Sequence, residues 1–368
     1  MIGRALLFVM MTSSSVAAAE VTVVMRGLAN PRGLAFGPQG ALYVAEAGQG
    51  GLGLTDPLCF TGEAGGRRCY GATGAVSRLW HGVQERVATG LPSQARESDG
   101  NAAIGPHDIA MLGLGSTYVT IGLMQSPALR DEHAELAGLA RLAQVEPSGE
   151  WHFVADLAAY EAANNPDGGP LDTNPYGLLA IPGGHILTDA GGNSLLRVDA
   201  NGHISTLAVF QSRGTDPPRS TDSVPTSVAI GPDGAYYVGE LTGVPFVDGT
   251  ANVYRVLPGE TPELFRTDEA CLSGFKMIID LAFDETGDLY VLQYTSGPLQ
   301  TGPGVLIRVT PDKSEPGGIC AQYRAGTRTT VVGALSQPTA IVLGPDGALY
   351  ISNHGNSAAA GEVLRVER

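Results

Sequence analysis

The 368-residue sequence predicts an all-β fold, a six-bladed β-propeller with four antiparallel strands per blade, on three observations. A phrase of the form Pro, five residues, Gly-Pro-x-Gly-Ala recurs along the chain. An apolar run that carries one arginine follows each copy. The last copy stops after this run, whereas a lone strand-like segment precedes the first copy. Similarity at such a period is typical of propellers, in which each repeat forms one blade.

The first two strands of each blade are predicted from the repeated phrase. Each copy contains an apolar run, a turn rich in Gly, Pro and Asp, and a second apolar run, which is the pattern of a β-hairpin. The copies that begin at Pro31, Pro225 and Pro338 match one another most closely. With three looser copies, the predicted blades start near residues 31, 106, 175, 225, 278 and 338.

The third and fourth strands are predicted from the runs that follow the phrase. The arginine-bearing runs are the predicted third strands, at residues 75–80, 139–145, 194–198, 252–256, 305–309 and 362–366. Four further runs are predicted as fourth strands, at residues 84–89, 151–156, 203–209 and 262–266. The long Gly/Pro-rich insertions between strands are candidate ligand-contacting loops, since function is often carried by loops on a rigid scaffold.

The two ends of the chain predict how the ring closes. The segment 21–25 is a strand without a partner in its own repeat, and the sixth blade stops after its third strand. Pairing the two removes an open sheet edge, so we expect the N-terminal strand to complete the sixth blade. An unpaired N-terminal arm is the alternative.

Residues 1–19 predict a secretory signal peptide. They combine the basic Arg4, a short apolar stretch and the small residues Ala17-Ala18-Ala19, which is the composition of a cleaved export signal. The predicted propeller domain therefore covers residues 20–368. A misassigned start codon is the alternative.

Charge and hydropathy narrow the location and the partners. The net charge of -15 argues against nucleic acid and anionic membrane surfaces as partners. After residue 20, no apolar run is long enough to span a bilayer. We therefore expect a secreted or periplasmic monomer with a small-molecule or polymer ligand.

The four cysteines fit an oxidising compartment. We predict a disulfide between Cys59 and Cys69, inside a Gly-rich insertion expected to lack secondary structure of its own, and a second between Cys271 and Cys320. Free thiols are the alternative. Metal binding is disfavoured, because no Cys-x-x-Cys or Cys/His spacing is present.

A polar ring at the mouth of the channel is the predicted functional site. The first strand of each blade lines the channel, and the start of that strand meets the end of the second strand at one rim. The first-strand members of the ring are Arg32, His107, Asp108, Tyr176 and Asp280. The second-strand members are Glu46, Asp189, Glu240, Gln293 and Asn353.

Two interpretations of this ring are open. In the first, His107 and Asp108 are catalytic, with His107 as general base, and Glu46, Asp189 and Glu240 hold a divalent cation, Mg²⁺ or Ca²⁺. The ligand-binding residues are then Arg32, Tyr176, Asp280, Gln293 and Asn353. In the second interpretation, the same groups bond to one another and hold the blades in register, and Asp189 caps the turn that follows it.

The segments 30–38, 105–109, 189–198 and, most specifically, 241–246 resemble the ScyD/ScyE family. This family consists of exported propeller proteins associated with the gene cluster for a cyanobacterial sunscreen pigment, and the resemblance extends over residues 20–368. It implies a six-bladed ring and a secreted or periplasmic location, and it implies no settled reaction.

Two other propeller families bear on the chemistry. Gluconolactonase-like enzymes hold a divalent ion with Asn, Asp or Glu at the starts of inner strands, where this chain has residues such as Arg32, Thr226 and Thr339 that build no oxygen cage. Streptogramin lyases resemble this chain at Pro106-His107-Asp108-Ile109, but the same blade ends its second strand in Ile121 rather than Glu.

The leading functional prediction is a binding or accessory module that recognises a small molecule or an extracellular polymer through one rim. The alternative is a metal-assisted lyase or hydrolase that acts at the channel mouth. The sequence leaves both open.

Overall fold

The computed structural model describes residues 19–62, 65–113, 116–213, 221–259, 262–297 and 301–368. Six small, mainly antiparallel sheets form a ring, which confirms the predicted six-bladed β-propeller with four strands per blade. The predicted signal peptide, residues 1–19, lies outside the described residues except for Ala19. Within the described part of the chain, no helix is both long and apolar enough to cross a membrane.

The strands of the first half of the chain form the first three blades. The N-terminal strand is β1 (Val21–Leu28). Blade one contains β2 (Pro31–Phe36), β3 (Leu42–Glu46), β4 (Cys59–Thr61), β5 (Arg67–Trp80) and β6 (Val83–Arg96). Blade two contains β7 (Pro106–Met111), β8 (Thr117–Ile121), β9 (Arg141–Val145) and β10 (Trp151–Asp156). Blade three contains β11 (Pro175–Ile181), β12 (Gly184–Asp189), β13 (Ser194–Asp199) and β14 (Ile204–Phe210).

The second half of the chain forms the other three blades. In chain order, the strands around blade four are β15 (Pro225–Ile230), β16 (Tyr236–Glu240), β17 (Ala251–Val256), β18 (Glu263–Phe265) and β19 (Leu272–Phe275). Blade five contains β20 (Ile278–Phe283), β21 (Leu289–Gln293), β22 (Gly304–Thr310) and β23 (Thr327–Leu335). Blade six contains β24 (Ala340–Leu343), β25 (Leu349–Asn353) and β26 (Gly361–Val366). Three short helices lie in loops: α1 (Leu129–Glu132), α2 (Leu157–Asn164) and α3 (Ile319–Ala325).

The innermost strands contact one another around the axis. β2, β7, β11, β15, β20 and β24 touch in that order, and β24 returns to β2. Apolar side chains fill the wedges between neighbouring blades, so the core is a set of clusters rather than one centre. The approach of β2 to β7 requires glycine at position 33, because a Cβ there would lie 2.0 Å from Oδ1 of Asp108.

The ring closes as the sequence predicts. β1 pairs antiparallel with β26, from Val21 opposite Val366 to Leu28 opposite Gly361. Met25 and Leu28 are each 1% exposed, so β1 also contributes to the core between blades six and one. The alternative of an unpaired N-terminal arm is therefore wrong.

The predicted fourth strand of blade four is wrong. The segment predicted at 262–266 forms β18, which runs parallel to β14 at the outer edge of blade three. Phe265 packs there against the rings of Phe210 and Tyr254, at centroid distances of 5.7 and 5.8 Å. The fourth strand of blade four is instead β19, which pairs with β17.

Both predicted disulfides are present, Cys59–Cys69 and Cys271–Cys320. The insertion around Cys59 and Cys69, however, is not without secondary structure. β4 pairs with the first part of β5, and β5 continues beside β6, which together extend blade one beyond its four-stranded body. Two disulfides are compatible with an extracellular or periplasmic location.

Candidate functional site

Arg32, His107 and Tyr176 lie near one another on the inner wall of the channel. They occupy the second position of β2, β7 and β11, and Arg32 and His107 are 5% and 3% exposed. The rings of His107 and Tyr176 are in contact, with centroids 4.5 Å apart. Because three adjacent blades contribute one side chain each, this group exists only when these blades are packed against one another.

His107 is a neutral imidazole with a defined tautomer. Its Nδ1 lies 2.9 Å from the carbonyl oxygen of Pro175. Since a carbonyl only accepts, Nδ1 carries the proton and Nε2 keeps its lone pair. Burial, followed by the charge of Arg32, lowers the pKa of His107 to about 3. The imidazole is therefore uncharged at neutral pH and is a weak base.

The same strand position links neighbouring blades elsewhere in the ring. Thr226 Oγ1 donates to the carbonyl of Ile278 at 2.8 Å, and Thr339 Oγ1 donates to the carbonyl of Pro31 at 2.7 Å. In both cases the acceptor is the first residue of the next blade, as Pro175 is for His107. The contact of His107 with Pro175 thus holds the blades in register, which agrees with the second interpretation of the ring for this atom.

Asp108 and Asp280 stand on opposite sides of the channel, in blades two and five. Each accepts hydrogen bonds from a backbone N–H of its own strand and from one of the next blade: Leu178 donates to Asp108 at 2.7 Å, and Ile341 donates to Asp280 at 2.8 Å. Burial raises the pKa of Asp280 to about 7. Burial and then the charge of Asp280 raise the pKa of Asp108 well above its usual range.

Arg32 and Arg68 are two cations at the mouth without a carboxylate partner among the described residues. Arg32 donates to the carbonyls of Gly355 and, at 2.8 Å, Ala103, and its Nε has no hydrogen-bond partner. Arg68 donates to the carbonyl of Ala102 at 2.7 Å. Burial, then the charge of Arg32, lowers the pKa of Arg68 to about 10. Positive charge is therefore concentrated there in a chain with a net charge of -15.

The second-strand members of the predicted ring do not join this group. Each instead accepts a hydrogen bond from the segment that leads into the first strand of its own blade. The donors are Ala29 N to Glu46 (2.6 Å), Asn174 N to Asp189 (2.7 Å), Ser223 Oγ to Glu240 (2.7 Å), Lys276 N to Gln293 (2.7 Å) and Ser336 N to Asn353 (2.8 Å). These five side chains form what we call the hairpin braces.

The three carboxylates predicted to hold a metal are separately engaged. Glu46 pairs with Arg86 at 2.8 Å, Glu240 pairs with Arg213, and Asp189 also accepts from the turn that follows it, Gly191 and Gly192 N–H included. Within the described ranges, the one group of three acidic, His or Cys ligand atoms inside 4.8 Å involves Cys59 and Cys69, which are disulfide-bonded. The structure does not bring the predicted metal ligands together, and their metal role stays a prediction.

An apolar cleft borders this site between blades three and four. Its cavity of about 410 Å³ is lined by Met124, Leu241, Val244 and Phe246 together with the polar residues Asn174, Asp172 and Asp222. A Cβ placed on Gly122 would lie 2.3 Å from Cε1 of His107 and 2.5 Å from Oδ1 of Asn174, so His107 and the cleft flank the same glycine. An apolar wall with a few polar groups is the usual composition of a small-molecule site.

Sequence reasoning missed three residues of the mouth: Arg68, Tyr294 and Asn356. Asn356 accepts from Arg32 at 3.2 Å and donates to the Tyr294 hydroxyl at 2.6 Å. Tyr294 directly follows the second-strand end at Gln293, so its position along the repeat could have identified it. Arg68 lies in the blade-one extension, where the repeat contains no equivalent position.

Comparison with known proteins shows the fold alone. The chain is similar to a gluconolactonase from Xanthomonas campestris (TM-score 0.53, 9% identity, covering 95% of this chain and 90% of that one). It is also similar to the PQQ-bound aldose sugar dehydrogenase from Streptomyces coelicolor (TM-score 0.50, 14% identity, 96% and 100% covered). A protein of unknown function from Bacteroides thetaiotaomicron is similar as well (TM-score 0.53, 10% identity, 95% and 76% covered). No family model and no curated protein matches the sequence.

Proposed function

We propose that this chain is an exported β-propeller of the ScyD/ScyE type that binds a small organic anion at the mouth of its channel. The observation that carries the proposal is the pair of arginines, Arg32 and Arg68, without carboxylate partners. Burying an ionised group is costly unless an opposite charge compensates it. Backbone carbonyls compensate in part, and a bound carboxylate would do so more fully because charge-assisted hydrogen bonds are the stronger ones.

The neighbouring cleft indicates an apolar body for the ligand. Met124, Leu241, Val244 and Phe246 line it, and Val244 is 71% exposed. Covering such side chains removes apolar surface from water, at about 25 cal/mol per Å². A carboxylate attached to an aromatic or aliphatic body therefore suits the mouth and the cleft together.

The state of His107 favours binding over proton abstraction. A general base is most effective when its pKa lies near the working pH, whereas burial and Arg32 hold the pKa of His107 at about 3. A neutral imidazole beside Tyr176 instead offers an acceptor at Nε2 and an aromatic surface to a ligand.

The test compares benzoate and 4-hydroxycinnamate with neutral benzamide by calorimetric titration of the mature chain. We expect the carboxylates to bind and benzamide to bind at least about tenfold more weakly, since a hydrogen bond to a charged group contributes about 1.5–3 kcal/mol. Arg32→Gln and Arg68→Gln should each weaken carboxylate binding by about 10- to 100-fold.

Arg67→Gln is the matched control. Arg67 precedes Arg68 in the same strand, but its side chain is 58% exposed and pairs with Glu97, so this variant should bind as the wild type does. Equal affinity for benzoate and benzamide, or equal loss in all three variants, would overturn the proposal. Binding of polymers such as glycans with no binding of either carboxylate would indicate the polymer ligand instead.

A further inference from the structure

A second polar site lies beside this cleft, where the loop after α2 meets the turn after β12. Glu161, in α2, is 2% exposed. A Cβ on Gly192 would lie 2.9 Å from Oε2 of Glu161 and 3.5 Å from Cγ of Asp189, so the two carboxyl groups flank this glycine. Asn193 Nδ2 donates to Asp167 at 2.9 Å, which joins the loop to the turn.

Two buried oxygens at this site have no hydrogen-bond partner among the described residues. They are Oε1 of Glu161 and Oδ1 of Asn165. Glu161 and Asn165 are separated by one helical turn, and the N–H of Asn165 donates to the carbonyl of Glu161 at 2.9 Å. Leaving a buried acceptor unsatisfied is costly, and such groups usually have a partner in the functional state.

The electrostatic surroundings of Glu161 favour a cation. The charged groups that act on the buried Glu161 carboxyl are those of Asp189, Asp167 and Asp172, all of them acidic. Arg130 and Arg141, two arginines that precede Glu161 in the sequence, both form ion pairs with Asp156.

We propose that a calcium ion binds between Glu161 and Asn165, with Oε1 and Oδ1 as two of its ligands. The ion would give both orphaned oxygens a partner and would offset the repulsion among the four surrounding carboxylates. It would also tie the loop after α2 to blade three, independently of any ligand at the channel mouth.

The donor set favours Ca²⁺ over other ions. Calcium accepts six to eight oxygens that include carboxylates, amide and backbone carbonyls and water, in flexible geometry. Asp189 already accepts hydrogen bonds from several N–H groups, so it acts through its charge. The proposed side-chain ligands are one carboxylate oxygen and one amide oxygen, and backbone carbonyls or water would complete the six to eight oxygens that Ca²⁺ accepts in flexible geometry, whereas Mg²⁺ requires a near-ideal octahedron.

The test is calcium titration of the chelator-treated mature chain, followed by calorimetry and by thermal melting. We expect one site, with a rise in Tm of about 5 °C when calcium is about 100 times its Kd. Glu161→Gln should lose this response. In chelator it should melt no lower than the wild type, because the substitution removes a buried carboxyl group that is surrounded by three acidic side chains; that result separates loss of binding from loss of folding.

Asn165→Gly provides a second variant that the backbone accepts. Asn165 has a φ of 40°, which glycine adopts readily, so the substitution removes Oδ1 without strain and should weaken calcium binding at least about tenfold. The exposed Glu150→Gln is the matched control and should bind calcium as the wild type does. The proposal is wrong if the wild type does not respond to calcium up to about 10 mM, beyond the weakest extracellular sites, or if Glu161→Gln responds equally.

Discussion

At the scale of single residues, the hairpin braces show how a polar side chain at a strand end becomes structural. Gln293, 7% exposed, accepts from the buried N–H of Lys276 at 2.7 Å. Asn353 accepts from Ser336 in the same way and donates to Glu362 at 2.9 Å. Each brace supplies an acceptor to a backbone N–H or a hydroxyl that no sheet ladder reaches.

Removing one brace should destabilise the fold through the donor left behind. Gln293→Ala leaves the Lys276 N–H buried without an acceptor, so we expect the free energy of unfolding to fall by about 1–3 kcal/mol in urea titration. Gln211→Ala is the control, since Gln211 is exposed; its effect should stay within about 0.5 kcal/mol. Equal effects of the two substitutions would contradict the structural role of Gln293.

The braces also explain how far the site could be predicted from the sequence. The period of two in a strand was enough to group Arg32, His107 and Tyr176, because their position depends on a local repeat, and their role in binding stays a prediction. The grouping of Glu46 with Glu240 failed, because their partners come from segments remote in the sequence. No periodicity in a single chain indicates which arginine will reach a given strand end.

At the scale of elements, one short strand from the blade-four part of the chain joins the sheet of blade three. β18 adds to blade three in parallel, and the chain then returns to blade four as β19. Sequence reasoning identified the apolar run at 262–266 but not its neighbour, because an outer strand can pair with either adjacent sheet edge. The choice is made by tertiary packing of Phe265 on Phe210 and Tyr254.

The Cys271–Cys320 disulfide should contribute more stability than Cys59–Cys69. It closes a loop with a sequence separation of 49 against 10, and the chain-entropy relation gives about 4 against about 3 kcal/mol. We therefore expect the double serine variant at positions 271 and 320 to unfold at lower denaturant than the one at positions 59 and 69. Oxidised wild type is the common reference, and the reverse order of midpoints would contradict this assignment.

At the scale of the whole molecule, ring closure depends on β1, the strand nearest the N-terminus among the described residues. β1 covers the edge of β26 and buries Met25 and Leu28. Without β1, blade six would have an exposed edge, which is a template for association with another chain. The stability of the ring and the protection of this sheet edge thus depend on the same eight residues.

Met25→Ala should weaken this closure by about 2–5 kcal/mol, because it removes a buried side chain and leaves a cavity. Val21→Ala, at a position 43% exposed in the same strand, should cost far less. Deletion of residues 20–26 should lower Tm and produce concentration-dependent assembly in light scattering. A truncated chain that melts as the wild type does and stays monomeric would show that β1 does not close the ring.

The two carboxyl groups that line the channel, Asp108 and Asp280, predict that the free energy of unfolding depends on pH. Asp108 and Asp280 face each other from opposite blades, and burial raises the pKa of Asp280 to about 7 from an ordinary 3.8. A carboxyl group with a raised pKa in the folded state stabilises the fold most below its unfolded pKa, and this contribution is lost as pH rises through the folded pKa. His107 and His185, whose pKa values burial lowers to about 3 and about 4, act in the opposite sense near pH 6.5.

The stability of the wild type relative to Asp280→Asn, measured by urea unfolding, should therefore fall by roughly 2 kcal/mol between pH 5 and pH 8. The exposed Asp268→Asn should show no such trend. A constant difference between the wild type and Asp280→Asn across this range would mean that Asp280 is ionised throughout and would contradict the raised pKa.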